Sequence, residues 1–163
     1  MRAIDRATWH EQPWKNGRGT TLEIARWRIT RTTEHSLDEW TAVDDDDYDV
    51  RVSIAEVTTS GPFSTFPGYL RHTFLVGPAP IQLGDVELVA PGDHVGLPGD
   101  RAIEATLAVP THLLNVLVRS HLPIVVGYGP TSRPVRFVFD VDRRSAFVGE
   151  PTVIDLRDAI WLA

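Results

Sequence analysis

Arginines, a serine and an asparagine recur at strand spacing in this sequence, in places where together they could hold an acid. Arg51 and Ser53 alternate with Val50, Val52 and Ile54, while Asn115 and Arg119 alternate with Leu114, Val116 and Val118. Residues at i and i+2 of a strand share a face, so each segment has one aliphatic and one polar side. Arg71 stands just before the apolar run Phe74-Leu75-Val76-Gly77. A guanidinium grips a carboxylate through two parallel, charge-assisted hydrogen bonds, so inward-facing arginines would select an anion. Lys15, one lysine among fifteen arginines, opens the group Lys15-Asn16-Gly17. It supplies a compact cation, and Asn16 offers both a donor and an acceptor. Gly17 and Gly19 permit a positive φ or a close backbone approach. The group reads either as a clamp for a carboxylate, amide or formimino end, or as a loop in which Asn16 bonds its own backbone. Glu23 would accept a cationic nitrogen or brace an arginine. Trp9, Trp14, Phe63 and Phe66 lie beside these motifs, as packing or as a stacking surface for a planar guest. The alternation alone leaves open which face looks inward. With the aliphatic face inside, Arg51 and Arg119 would be solvated.

Other chemistries find less support. Two histidines at i and i+2 would aim at one point from a strand, but no two of His10, His35, His72, His94, His112 and His121 have that spacing. His94, beside the turn Pro91-Gly92-Asp93, is the histidine most readily read as a metal ligand. The absence of cysteine excludes disulfides, thiolate metal sites and cysteine nucleophiles. The run Asp44 to Asp47 lacks the alternating ligands and glycine of a calcium loop and reads as a solvated connection. No catalytic residue, metal or cofactor is therefore assigned. The net charge of -6 argues against nucleic acid, which calls for a basic face. The longest uncharged apolar stretch, Ala105 to Val118 but for His112, is broken by Pro110 and falls short of the ~20 residues of a membrane helix. Met1 to Glu11 lacks the apolar centre of a signal peptide. A cytoplasmic protein with no membrane partner is expected.

The elements that must position these residues are strands. Besides Val50 to Ile54 and Leu114 to Arg119, strands are expected at Thr21 to Thr30, His72 to Val76, Pro80 to Leu83, Glu87 to Val89, Ala102 to Ala108, Ile124 to Tyr128, Val135 to Val141, Val153 to Leu156 and Ala159 to Leu162. Gly61-Pro62, Pro67-Gly68, Gly77-Pro78, Pro91-Gly92-Asp93, Pro98-Gly99-Asp100 and Gly129-Pro130 punctuate them as turns. Short strands between such turns predict an all-β sandwich or barrel with little helix. One or two helical turns are expected over Thr33 to Ala42. The 163 residues and 18.2 kDa suit a single compact unit. A weak internal echo suggests two packed half-barrels, about 1–90 and 91–163.

Three segments carry a family resemblance. They are Pro13-Trp14-Lys15-Asn16-Gly17-Arg18-Gly19-Thr20-Thr21-Leu22-Glu23-Ile24-Ala25; then Arg51 to Val57 with Gly61 to Gly68 and Arg71; then Gly92-Asp93, Leu97 to Asp100, Leu114-Asn115-Val116 and Arg119. Together they resemble the HutD/Ves family of cupin-like proteins, with departures from its pattern at Arg18, Leu22 and Val50. The resemblance implies a cupin-type β-barrel of the bicupin kind. It also implies an association with histidine utilisation, and binding of a small metabolite such as formiminoglutamate or urocanate to limit flux rather than to catalyse. Metal cupins place a glutamate just before the apolar strand of their first motif. Arg71 stands there in this chain, which turns a preference for a cation into one for an anion.

The expected ligand-binding residues are Lys15, Asn16, Glu23, Arg51, Ser53, Arg71, Asn115 and Arg119, and the expected partner is a small acidic metabolite. A homodimer joined at a sheet edge is compatible with such a barrel. The alternative is a metal-independent isomerase or hydrolase, which needs a general base. His72 is the histidine nearest the motif, and as a strand neighbour of Arg71 it should face the other way.

Overall fold

Alternating side chains explain why this chain builds layers. A strand with apolar residues on both faces must be covered twice, and the central strands here are of that kind. The structure, a computed structural model, describes residues 1–30 and 38–163. In chain order its strands are β1 (Arg2–Ile4), β2 (His10–Pro13), β3 (Gly19–Thr30), β4 (Glu39–Ala42), β5 (Val50–Val57), β6 (Gly61–Pro62), β7 (Tyr69–Leu75) and β8 (Ile81–Leu83). They continue as β9 (Val86–Leu88), β10 (His94–Pro98), β11 (Glu104–Thr106), β12 (Thr111–Arg119), β13 (Val126–Tyr128), β14 (Thr131–Asp140), β15 (Ser145–Ile154) and β16 (Ala159–Leu162). Helix among the described residues is confined to one 3-10 turn at Arg6–Thr8. None is long and apolar enough to cross a membrane. The helix expected over Thr33 to Ala42 is not formed where the chain is described: Glu39–Ala42 is a strand on β3, and 33–37 lie outside the described residues. Pairing with β3 overrides the weak local preference.

The architecture is all-β, built from three sheets. The central sheet runs β10-β7-β12-β5-β3-β2, with β4 also on β3. A second sheet runs β1-β15-β14-β16-β13, and a smaller third runs β6-β11-β8-β9. All pairings are antiparallel, and the sheets stack rather than close into a hydrogen-bonded cylinder.

Each face of the central sheet has its own core. Val50, Val52, Ile54, Phe74, Leu114, Val116 and Val118 pack on Phe137, Phe139, Ile160 and Leu162 of the second sheet. On the reverse face Ala55, Val57, Leu75 and Leu113 pack on Ile81, Leu83, Leu88, Ile103 and Ala105 of the third sheet and its approach. Each valine, leucine, isoleucine or phenylalanine among them contributes about 1.5–3 kcal/mol by leaving water. The third sheet covers only one end of the reverse face. At the other end the same face carries Arg51, Ser53, Arg71, Thr73 and Asn115, and a cavity opens there.

Fully buried Leu114 sits in the first core, whereas Val153 is 59% exposed. Leu114→Ala should cost about 2–5 kcal/mol in urea unfolding. Val153→Ala should change stability by less than about 0.5 kcal/mol. Equal effects would contradict the two-sided packing.

Candidate functional site

Three adjacent strands make the floor of a cavity of about 430 Å³, a volume within the usual range for small-ligand sites. Their register dictates the arrangement. Leu117 of β12 pairs with Arg51 of β5 on one side and with Arg71 of β7 on the other. Asn115, two residues away, pairs with Ser53 and Thr73 in the same fashion. The two arginines therefore stand two strands apart, about 10 Å by ordinary sheet spacing, with an apolar residue between them.

Arg71 dominates the electrostatics. It is only 6% exposed, and its Nε and Nη1 are buried without a hydrogen-bond partner. Its guanidinium lies over two aromatic rings, 4.9 Å from the centroid of Phe66 and 5.7 Å from that of Phe63. Such contacts recover about 0.5–2 kcal/mol, less than the cost of burying an unpaired charge. Burial, followed by repulsion from Arg51, pulls its pKa down to about 10. Between that value and its ordinary one the folded chain binds fewer protons than the unfolded chain. This group's contribution to stability therefore rises with pH only across that alkaline window. At neutral pH Arg71 is charged and the burial cost is fully present.

The roof comes from the β2–β3 hairpin and the segment after β6. Gly17 turns the hairpin with φ +69°. At Gly19 an added Cβ would lie 2.3 Å from the Glu56 carbonyl and 3.1 Å from the Trp14 ring, so only glycine lets the hairpin lie flat on β5. Trp14 donates Nε1–H to Thr21 Oγ1 at 2.8 Å and meets Phe63 edge-on, with centroids 5.7 Å apart. Arg18 donates to the Ser60 carbonyl and ties the hairpin to the turn before β6. Lys15 and Asn16 line the mouth. The Asn16 side-chain oxygen accepts the Arg18 backbone N–H at 3.0 Å, so its amino group is the end left for a guest.

Glu23 owes its position to a bulge. Across β3 and β5 the register steps from Glu23–Ser53 to Ala25–Val52, so Ile24 is an extra residue. That residue brings Glu23 and Arg26 onto one face and sets Arg26 directly opposite Arg51. The Glu23 carboxylate accepts Arg26 Nε at 2.7 Å with one oxygen and Arg51 Nε at 2.5 Å with the other. Two facing cations thus share one anion. Burial opposes the charge on Arg26, but the hydrogen bond it donates to Glu23 and the charge of that carboxylate leave its pKa raised overall. A second cavity, about 640 Å³, lies on the outer side of this bridge against Ile4, Trp27 and Val148. Of the two arginines that line it, Arg2 and Arg26, the second is already paired with Glu23 and Asp46.

The sequence pattern of the HutD family matches residues 6–123, well over half of the chain. The chain belongs to the HutD family. That family is associated with histidine utilisation. Over 71 residues, 44% of its length, this HutD-family chain is 41% identical to an uncharacterized 21.2 kDa protein in the hutC 3' region of Pseudomonas putida. The match spans 29% of that relative's length. Among solved structures it is similar to a conserved protein of unknown function from Pseudomonas aeruginosa PAO1, with TM-score 0.68, 18% identity and coverage of 99% of this chain and 95% of the other. It is also similar to HutD from Pseudomonas fluorescens SBW25, in a formate condition, with TM-score 0.64, 19% identity and coverage of 99% and 96%. At such identities the likeness concerns the fold.

Six of the residues expected at the site, Lys15, Asn16, Arg51, Ser53, Arg71 and Asn115, line the first cavity of this HutD-family chain. Glu23 does not line it, and reaches it only through Arg51. Arg119 lies outside it as well. Its guanidinium turns to Asp47 at 3.1 Å and Asp49 at 3.6 Å and stacks on Tyr69, 4.9 Å from the ring centroid. It shares a strand face with Asn115, but the strand carries it past the cavity's edge. His72 faces away from Arg71, beside Gly96, and burial lowers its pKa. His94 stacks on Phe74, with centroids 4.7 Å apart. Among the described residues no three histidine, aspartate or glutamate side chains gather as a metal site. Trp9 is part of the first core, whereas Trp14, Phe63 and Phe66 line the cavity. Thr73, Gln12 and Leu117 were not singled out from the residues. The i, i+2 relation of Thr73 to Arg71 is the signal that marks it.

Replacing Glu23 with glutamine leaves Arg26 and Arg51 facing each other with no anion between them. The expected cost is about 1–3 kcal/mol in urea unfolding. A change below about 0.5 kcal/mol would show that the bridge holds neither arginine.

Proposed function

We propose that this chain is a non-catalytic binding protein for a small acidic metabolite, whose carboxylate sits against Arg71. The observation that carries this reading is a nearly buried guanidinium, on a residue that lines the cavity, with Nε and Nη1 lacking a hydrogen-bond partner among the described residues. Buried charges are ordinarily paired, and an incoming carboxylate supplies the missing counter-charge and hydrogen-bond acceptors. Arg51, steadied by Glu23, and Lys15 at the mouth add positive potential along the path of entry. The aromatic rings of Trp14, Phe63 and Phe66 offer flat surface to an unsaturated or planar guest. The histidine-utilisation context points to formiminoglutamate-like or urocanate-like acids, sensed or buffered to modulate the pathway. Among the described residues no histidine, aspartate or glutamate lines the cavity, and Lys15 is the titratable amine on its wall.

This reading makes an uncommon prediction, that one substitution improves the empty protein while abolishing its function. Arg71→Met should raise the stability of the unliganded chain by about 1–3 kcal/mol, since an apolar side chain replaces an unpaired buried charge. Wild-type protein should be stabilised by urocanate, formiminoglutamate or formate, by roughly 2.7 kcal/mol at a hundredfold excess over Kd. The variant should not respond. Thermal unfolding and isothermal titration read both effects. Wild-type protein that ignores every acid, or a variant that responds equally, would overturn the proposal.

A further inference from the structure

Thr73 shares the sheet face that floors the cavity but does not itself line the cavity. Asn115 lines the floor, and its side-chain amide can present either an oxygen or an NH2 group to a guest. Thr73, on the neighbouring strand and 1% exposed, donates its hydroxyl to Asn115 Oδ1 at 2.8 Å. With the amide reversed, the Thr73 hydroxyl would lose this acceptor, and a buried donor left unsatisfied costs about 1–3 kcal/mol. The bond thus locks the Asn115 oxygen inward on the protein and leaves its NH2 for the cavity. Asn16 is held in the same sense at the mouth, where its oxygen is taken by the Arg18 backbone N–H. Ser53, between Glu23 and Asn115 in the register, has a hydroxyl that rotates to suit its guest. On the floor Asn115 is therefore the uncharged group whose polarity is fixed, and it is fixed as a donor beside Arg71.

Resting on the acid-binding reading above, we propose that Thr73 is a positioning residue for selectivity. By holding Asn115 as a donor it makes the inner end of the site fit a group that only accepts hydrogen bonds, a carboxylate, and discriminate against the corresponding carboxamide. A carboxamide must place an NH2 somewhere, and on this floor it meets only donors and one adaptable hydroxyl. Arg71 supplies charge selectivity, and Thr73 supplies the discrimination that charge alone does not complete.

The test compares acetate with acetamide, titrated into wild type, Thr73→Val and Thr73→Ser and followed by NMR. Valine keeps the shape and removes the hydroxyl, so Asn115 can reverse. The acetate-to-acetamide affinity ratio should fall at least about fivefold in Thr73→Val, mainly through tighter acetamide binding, and should be restored in Thr73→Ser. In wild type the Asn115 side-chain NH2 resonances should move on saturation with acetate, a readout that needs no variant. An unchanged ratio in folded Thr73→Val, an equal fall in Thr73→Ser, or unmoved Asn115 resonances would overturn this inference and leave the binding reading standing. Wild-type protein that binds no acetate would overturn this inference, and one that also ignores every larger acid would remove the binding reading with it.

Discussion

A positive charge held almost out of water with no negative partner is the constraint around which this protein is arranged. Arg71 stands on β7, a strand paired on both sides, by β10 and β12. Its nearest counterweights are the faces of Phe63 and Phe66, which soften the burial without neutralising it. Glu23, the carboxylate that reaches the floor through Arg51, is committed on both oxygens elsewhere. Natural cores seldom tolerate such an arrangement unless it serves recognition, because an apolar residue of similar size would be more stable. The fold's other features at this end make sense as consequences. Leu117 separates the two cations, the third sheet stops short, and the glycine-hinged hairpin roofs the opening.

The two arginines of the floor play different parts, and the bulge in β3 is what distinguishes them. Ile24 adds one residue, which turns Arg26 to face Arg51 and brings Glu23 around to sit between them. Arg51 is thereby compensated and held by its Nε, while its remaining N–H groups stay available. Arg71 is left uncompensated. A cavity with both arginines neutralised would have little reason to prefer an anion. One with both bare would suffer mutual repulsion across about 10 Å on top of two burial costs. A single anion shared by two facing cations, next to one cation without any, avoids both outcomes.

Much of this was legible from periodicity. The alternations through Val50 to Ile54 and Leu114 to Arg119 marked strands with a polar side, and both are central strands whose polar side reaches the cavity. What periodicity reports, however, is parity and not extent. Arg119 has the same parity as Asn115, and only the length of β12 relative to the roof decides that one enters the cavity while the other meets Asp47 and Asp49. Glu23 failed differently. A bulge breaks the period-2 rule at a single residue, and nothing in Leu22-Glu23-Ile24-Ala25 announces where the extra residue falls. The strand Glu39–Ala42 was misread as helix because its apolar content is slight and its structure comes from pairing with β3. The short strand β10 was hidden for a similar reason, lying among turn residues that flank Gly96.

Thr73 shows why a site's selectivity is harder to read than its charge. Arginine announces an anion by its identity alone. An asparagine is ambivalent, and its meaning depends on which of its two ends the protein has already used. At Asn115 that choice is made by a hydroxyl on the adjacent strand, reached through register and not through sequence proximity, 42 residues away along the chain. The same logic operates locally at Asn16, where the hairpin's own backbone takes the oxygen. Two amides in different elements, oriented by unrelated partners, thus end with the same polarity. Agreement of that kind gives the cavity a consistent donor character to match its charge. Such agreement is what a rigid site requires if it is to recognise a carboxylate without a moving part.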